Sequence, residues 1–373
     1  MEERTKQAQG ELEVASFVRR AQHGSSWEEA DDFIPEEELV PKTRPQPQGN
    51  KNHGRRRRKH PVKIIFMSLA VLLAIAGGVV AARFKLALDQ GLNHLNRKNA
   101  VDLDSIKVSP DLENDDQIIN ILLVGSDKRS TWSETGRSDS TMIASLDTRH
   151  DKLKLVSLMR DMYVEIPGFG QNRFNAAYSF GGVELLYQTI AENFGIALDG
   201  YVVVDFAAFL NVINKIGGVD VELTQWEYEY LIGAYPQKPR IQLLKPGMNR
   251  MSGSQALAYC RIRQDEKGDF GRTQRQRNVL SAIFQKARGL SLGQISELAK
   301  EILPDVSTDL TNEEILSYMK TVLFMGTTEL DQFRIPVDHS YEPTYIDGMD
   351  VLVPDMETNR RELKDFLFEG EEE

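Results

Sequence analysis

Acid–arginine pairs recur along this chain, each at an end of an apolar run. N-I-L-L-V-G-S-D-K-R places Asp127 and Arg129 after the first run. G-R-S-D-S-T-M-I-A-S-L-D places Arg137 and Asp139 before the second, and K-L-K-L-V-S-L-M-R-D places Arg160 and Asp161 after the third. If the runs are adjacent buried strands, these charges gather at one rim of a sheet, where open α/β folds usually bind ligands. Carboxylates beside guanidiniums suit a divalent metal and a phosphate held together. The competing reading is a row of surface ion pairs, which are common and weak. On these strands alone the two readings stand level.

A second cluster lies further on, in Y-C-R-I-R-Q-D-E-K-G-D-F-G-R-T-Q-R-Q. Arg261 and Arg263 are two apart and share a side if that segment is extended. Arg272 and Arg275 are three apart and share a face if theirs is a helix. Guanidinium forks match phosphate oxygens bidentately, so such a set suits a polyanion such as a pyrophosphate. Alternatively, Asp265, Glu266 and Asp269 neutralise the arginines as ordinary salt bridges.

The elements that must position these residues read as a layered α/β domain. Residues 119–124, 142–146, 153–158 and 163–166 have strand character, the first three too apolar for a half-exposed sheet. Pro167, Gly168 and Gly170 mark a turn. Helical periodicity follows over 183–194, closed by Gly195. A strand (201–204), a helix (206–216) stopped by Gly217 and Gly218, and another strand (219–223) continue the alternation, which argues an α-β-α layering around a central sheet. The aromatic stretch 226–235 has no clear assignment. Helices are expected over 252–260, 273–288, 292–303, 312–324 and 355–368, with short strands at 333–335 and 351–353. No internal repeat and no second globular domain is evident.

The chain has 373 residues and a formal net charge of −11, so bulk charge does not suggest a nucleic-acid binder. Charge is unevenly placed: residues 1–50 hold eleven acids and six Lys or Arg, while 51–63 hold seven Lys or Arg and no acid. Residues 1–63 carry little core-forming material and read as a disordered tail ending in a basic cluster. Residues 64–82 are an uncharged apolar run, about 28 Å long as a helix and close to the hydrocarbon thickness. The flanking basic cluster puts the N-terminus in the cytoplasm and everything after Arg83 outside. The expectation is a single-pass, type II cell-membrane protein: a transmembrane helix at 64–82, a juxtamembrane stalk at 83–117, an extracellular domain at 118–368 and an acidic end at 369–373.

Other chemistries lack their residues. The single Cys260 excludes a disulfide framework within the chain and any multi-cysteine metal site, and reads as a buried filler. No G-x-x-x-x-G-K-[ST] loop and no G-x-S-x-G elbow occurs. In the outer domain only His150 and His339 are available, without ligand-like spacing. Carboxylate and arginine chemistry remains, which points to metal-assisted phosphoryl transfer.

The motifs L-L-V-G-S-D-K-R, G-R-S-D-S-T-M, S-L-M-R-D-M-Y-V-E-I-P-G, N-R-F-N-A-A-Y-S-F-G-G, I-G-G-V-D-V, G-S-Q-A-L-A-Y-C-R-I-R and G-R-T-Q-R-Q occur in that order over 118–288. This succession resembles the LytR-CpsA-Psr family. The resemblance implies an α-β-α domain with a central mixed sheet beyond a membrane anchor. It also implies transfer of a glycopolymer (wall teichoic acid, capsule or similar) from a polyprenyl-pyrophosphate carrier to peptidoglycan. Under it, Asp127 and Asp139 hold Mg²⁺ (or Mn²⁺), and Arg137, Arg160, Arg173, Arg261, Arg263, Arg272 and Arg275 grip the pyrophosphate, with Gln276 a further candidate. Asp161 takes a supporting or base-like role, so Asp127, Asp139, Arg160 and Asp161 form the expected catalytic set. Arg173 stands where the family often has Lys, and Ser140 where it has Thr. Arg129 reads as a surface charge. A pyrophosphatase acting on the same lipid, or a non-enzymatic envelope regulator, remains as an alternative. Which glycopolymer is carried and the oligomeric state are not legible.

Overall fold

The three apolar runs become neighbouring strands, β1 (Ile118–Ser126), β2 (Ser138–Asp147) and β3 (Lys152–Leu158). The computed structural model describes residues 111–126, 138–302, 306–327 and 329–369, together with 92, 101–103, 106 and 108. The expected tail, the apolar run 64–82 and most of the stalk lie outside the described residues. Among those described, no helix is long and apolar enough to cross a membrane.

After β3, β4 (Tyr163–Ile166) and β5 (Gly170–Arg173) form a hairpin, followed by α1 (Ala176–Phe194). Then come β6 (Gly200–Asp205), α2 (Phe206–Lys215), β7 (Val219–Leu223), α3 (Gln225–Ala234), β8 (Gly247–Met251), α4 (Gly253–Cys260) and α5 (Gly268–Arg288). The chain continues with α6 (Leu292–Ile302), β9 (Val306–Thr308), α7 (Asn312–Met325) and β10 (Asp331–Ile335). A second hairpin, β11 (Tyr341–Ile346) with β12 (Met349–Pro354), precedes α8 (Met356–Phe368).

The central sheet has the order β10-β3-β2-β1-β6-β9. β2 runs antiparallel to both β1 and β3, while β6 lies parallel to β1 and β10 parallel to β3. Thus β1, β3, β6 and β10 end at one rim, and β2 starts there. Register makes this concrete: Gly125 opposes Ser140, Thr141 opposes Leu158, Ser126 opposes Asp205, and Ile335 opposes Leu158.

On one face, Leu122, Val124, Ile143, Val156 and Leu158 are buried in one cluster with Leu186 and Ile190 of α1 and Leu363 and Leu367 of α8. On the other face α5 crosses β3, where Arg277 Nη1 donates to Ser157 Oγ at 2.8 Å. A second core joins α2, α4 and α5 to β7 through residues such as Ile213, Val219, Tyr259 and Val279. Gly253 makes the α2–α4 approach possible, since a Cβ there would lie 2.6 Å from the Leu210 carbonyl oxygen. The outcome is a mixed α/β fold around a central mixed sheet.

Several local expectations change. The aromatic stretch without an assignment is α3, started by a capping box in which Thr224 and Glu227 satisfy each other's backbone. The N-A-A-Y segment already belongs to α1, which kinks at Gly181 and Gly182 before the expected periodic part. Gly182 has φ +64, which disfavours any side chain there. Strands β5, β8, β9 and β11 had no counterpart in the sequence reading.

Candidate active site

Leu158 ends β3, and the chain leaves the sheet carrying Arg160 and Asp161. The segment leading into α5 and the first two turns of that helix supply Arg263, Asp269 and Arg272. Asp269 is where they meet. Arg263 grips it bidentately, Nε to Oδ1 at 2.6 Å and Nη2 to Oδ2 at 3.1 Å. Arg160 Nε donates to Asp269 Oδ2 at 3.1 Å and to Asp161 Oδ2 at 3.3 Å. Arg272, one turn along α5 and buried, brings Nη1 within 3.4 Å of Asp269 Oδ1. Arg173, at the end of β5, lies 3.8 Å from Asp161 Oδ1. Arg160, Arg173, Arg263 and Arg272 therefore converge on two carboxylates.

Those carboxylates cannot both carry full charge at low cost. Burial, and then the hydrogen bond with Asp269, lifts the Asp161 carboxyl to about 6 against the pull of Arg160. Burial pushes Asp269 the same way, but the hydrogen bond from Asp161 together with Arg272 and Arg160 holds it below the usual range. Below about pH 6 the pair thus holds one proton, resting on Asp161. With that proton in place the cationic side dominates, which favours an anion.

Arg261 and Arg263 do not aim at one target as an extended segment would have them. Arg261 caps α4 and stacks 4.4 Å over the Phe206 ring, at the start of α2, where β6 reaches the same rim. Arg275 departs further from the reading as a pyrophosphate ligand. Its Nε donates to Glu227 Oε1 at 2.7 Å, its Nη1 to the Ile262 carbonyl at 3.3 Å, and its Nη2 to Asp265. All three nitrogens are committed inside the domain, so Arg275 ties α5 to α3 rather than facing a ligand. Gly271 permits this, because a Cβ there would sit 2.7 Å from Asp265 Oδ2 and 3.0 Å from Arg275 Nη1. Gln276, one turn beyond Arg272, is half-buried and its Oε1 has no partner among the described residues. Cys260 is buried, and burial pushes its thiol up to about 12, which suits a filler and no nucleophile.

Asp127, Arg129 and Arg137 lie outside the described residues. Asp139 is part of β2, and its side chain lies outside them too. Among the described residues no group of His, Cys, Asp and Glu could hold a metal. The rim nonetheless suits one chemically: β2 begins beside the end of β1 across a bulge at Gly125 and Ser126, and the buried Ser138 Oγ there has no partner among the described residues. Oxygen donors of this kind fit a hard cation such as Mg²⁺.

Sequence reasoning assigned Asp269 only a neutralising part and missed Glu227 and the second hairpin. Leu352 N–H of β12 donates to the Asp161 carbonyl at 2.9 Å, and Arg173 Nη2 donates to the Asp350 carbonyl at 2.6 Å. The T-Q-W-E spacing that opens α3 could have flagged Glu227 as a capping residue. Nothing in the sequence signals that β12 docks on Asp161.

A family model described as the LytR_cpsA_psr family matches residues 83–365. The chain belongs to the LytR-CpsA-Psr family. The regulatory protein MsrR of Staphylococcus aureus (strain COL) is 31% identical over 278 residues, covering 73% of this chain and 81% of that protein. The polyisoprenyl-teichoic acid–peptidoglycan teichoic acid transferase TagU of Bacillus mycoides (strain KBAB4) is 31% identical over 263 residues, covering 69% and 83%. A solved structure of TagT bound to LI-WTA superposes with a TM-score of 0.59 at 25% identity, over 72% of this chain and 99% of that one. The fold and the motif order therefore both belong to LytR-CpsA-Psr proteins.

Proposed function

We propose that this LytR-CpsA-Psr protein is a membrane-anchored phosphotransferase. It moves a glycopolymer from a polyprenyl-pyrophosphate carrier to peptidoglycan on the outer face of the cell membrane. The observation that carries the reading is the convergence of Arg160, Arg263 and Arg272 beside a carboxyl that holds a proton near pH 6. TagU, whose name describes such a transfer, supports it at 31% identity. The uncharged run 64–82 with its basic flank supports the anchoring, which would keep the site close to a lipid-borne donor.

In this mechanism the pyrophosphate oxygens take the arginine N–H donors that Asp269 now occupies. An acceptor hydroxyl of peptidoglycan attacks the phosphorus bearing the glycan, and Asp161, once deprotonated, takes its proton. The new O–P bond forms as the bridging P–O bond breaks, and polyprenyl phosphate leaves with the electron pair. Arg160 and Arg272 stabilise the charge that builds on it. Mg²⁺ held by Asp127 and Asp139 would supply further neutralisation of the pyrophosphate.

Incubating the full chain with labelled lipid-linked glycan, Mg²⁺ and peptidoglycan oligomers tests this. A covalent glycan–peptidoglycan product is expected. Release of lipid phosphate without that product would mean that water is the acceptor and the protein a hydrolase. No turnover, with polymer attachment unchanged in an Arg160→Ala strain lacking related genes, would contradict the enzyme reading.

A further inference from the structure

A cleft of about 570 Å³ opens beside the Asp161–Asp269 pair, between the loop leading into α5 and the β11–β12 hairpin. Tyr341, Tyr345 and Phe270 line it together with the two carboxylates. Tyr341 packs on Phe270 with ring centroids 5.3 Å apart, while Tyr345 is 70% exposed. Glu266 and Asp350 add acid to the lining, against the single cation Lys267.

Charge divides the two sides of Asp161. The arginine side suits an anion, whereas the acidic lining of the cleft repels a phosphate polymer. An exposed aromatic face beside carboxylates suits a neutral sugar instead, whose C–H face lies on the ring while its hydroxyls donate to the acids. The hairpin is also fixed to the chemistry. The hairpin's Leu352 N–H donates to the Asp161 carbonyl and its Asp350 carbonyl accepts from Arg173, so an occupant of the cleft is held in register with the Asp161 carboxyl.

We propose that this cleft is the acceptor subsite and takes a run of neutral sugar units, with Tyr345 as a stacking platform. The inference deepens the transferase reading and rests on it for the identity of the acceptor. The sugar hydroxyl nearest Asp161 is the one that gives up its proton and joins the phosphorus.

Calorimetric titration of the full-length chain in detergent with a neutral β-1,4-linked N-acetylglucosamine hexamer, without donor, tests the cleft by itself. Binding is expected, weakened at least fivefold by Tyr345→Ala and retained by Tyr345→Trp. No binding by the unaltered chain, or an affinity that Tyr345→Ala leaves within twofold, overturns the proposal. A parallel transfer assay separates the two claims. If the hexamer binds through Tyr345 but no glycan–peptidoglycan product forms, the transferase reading falls and the sugar cleft stands. A product that forms with an acceptor KM unchanged in Tyr345→Ala removes the cleft and leaves the transferase.

Discussion

The proton shared by Asp161 and Asp269 sets the pH behaviour expected of the site. Asp161 can accept a proton only when ionised, so product formation should rise with pH through about 6. Asp269→Asn removes a like charge and should move that acid limb to lower pH in a rate–pH profile. The stability linkage runs the other way. A carboxyl near 6 in the folded chain and about 4 when unfolded binds more protons folded, so its contribution declines as pH rises through that window. The arginines separate by their partners. Arg275→Ala leaves Glu227 and Asp265 without their cation in a buried setting and should cost about 3–5 kcal/mol in denaturant unfolding. Arg263→Ala, at a side chain 37% exposed, should cost less than about 1 kcal/mol of stability. Arg160 and Asp161 were legible because they follow a buried strand directly. Arg275 was misread because spacing shows which arginines share a face of α5 but not which acid arrives from α3.

At the scale of elements, the β2–β3 turn is held by a buried pair. Lys154 Nζ lies 2.7 Å from Asp147 Oδ2 and donates to the Leu367 carbonyl at 2.9 Å, so it fastens α8 to the sheet as well. Burial would raise the Asp147 carboxyl, but hydrogen bonds from Lys154 and His150 outweigh it and hold it low. Its stabilisation is therefore present above the ordinary carboxylate range and lost as pH falls through the depressed value. Lys154→Met should cost about 3–5 kcal/mol near neutral pH by stranding Asp147, read as a lower unfolding midpoint. The long strands and most helices were legible because apolar runs, caps and glycines mark them. β5 reads G-Q-N-R, with no apolar pattern, and β11 contains Pro343, so each becomes a strand through its hairpin partner. The expected start of the 183–194 helix fell late because Gly181 and Gly182 look like a break, whereas α1 passes through them with a kink.

For the whole molecule, the decisive arrangement is that β1, β3, β6 and β10 end at one rim, with the charged residues of distant segments delivered to it. Three apolar runs with charged ends foretold that rim. The placement of the β11–β12 hairpin over Asp161 was not foretold, because it depends on long-range docking without a local signal. Pyrophosphate binding at this rim, as proposed, can be measured without turnover. Equilibrium binding of a short-chain polyprenyl pyrophosphate to the full chain should weaken at least tenfold in Arg160→Ala and in Arg263→Ala. Arg250→Ala, which removes an exposed partner of Asp220 on the two-stranded β7–β8 sheet, should leave it within twofold. Undiminished affinity in Arg160→Ala and Arg263→Ala would contradict the assignment of this rim.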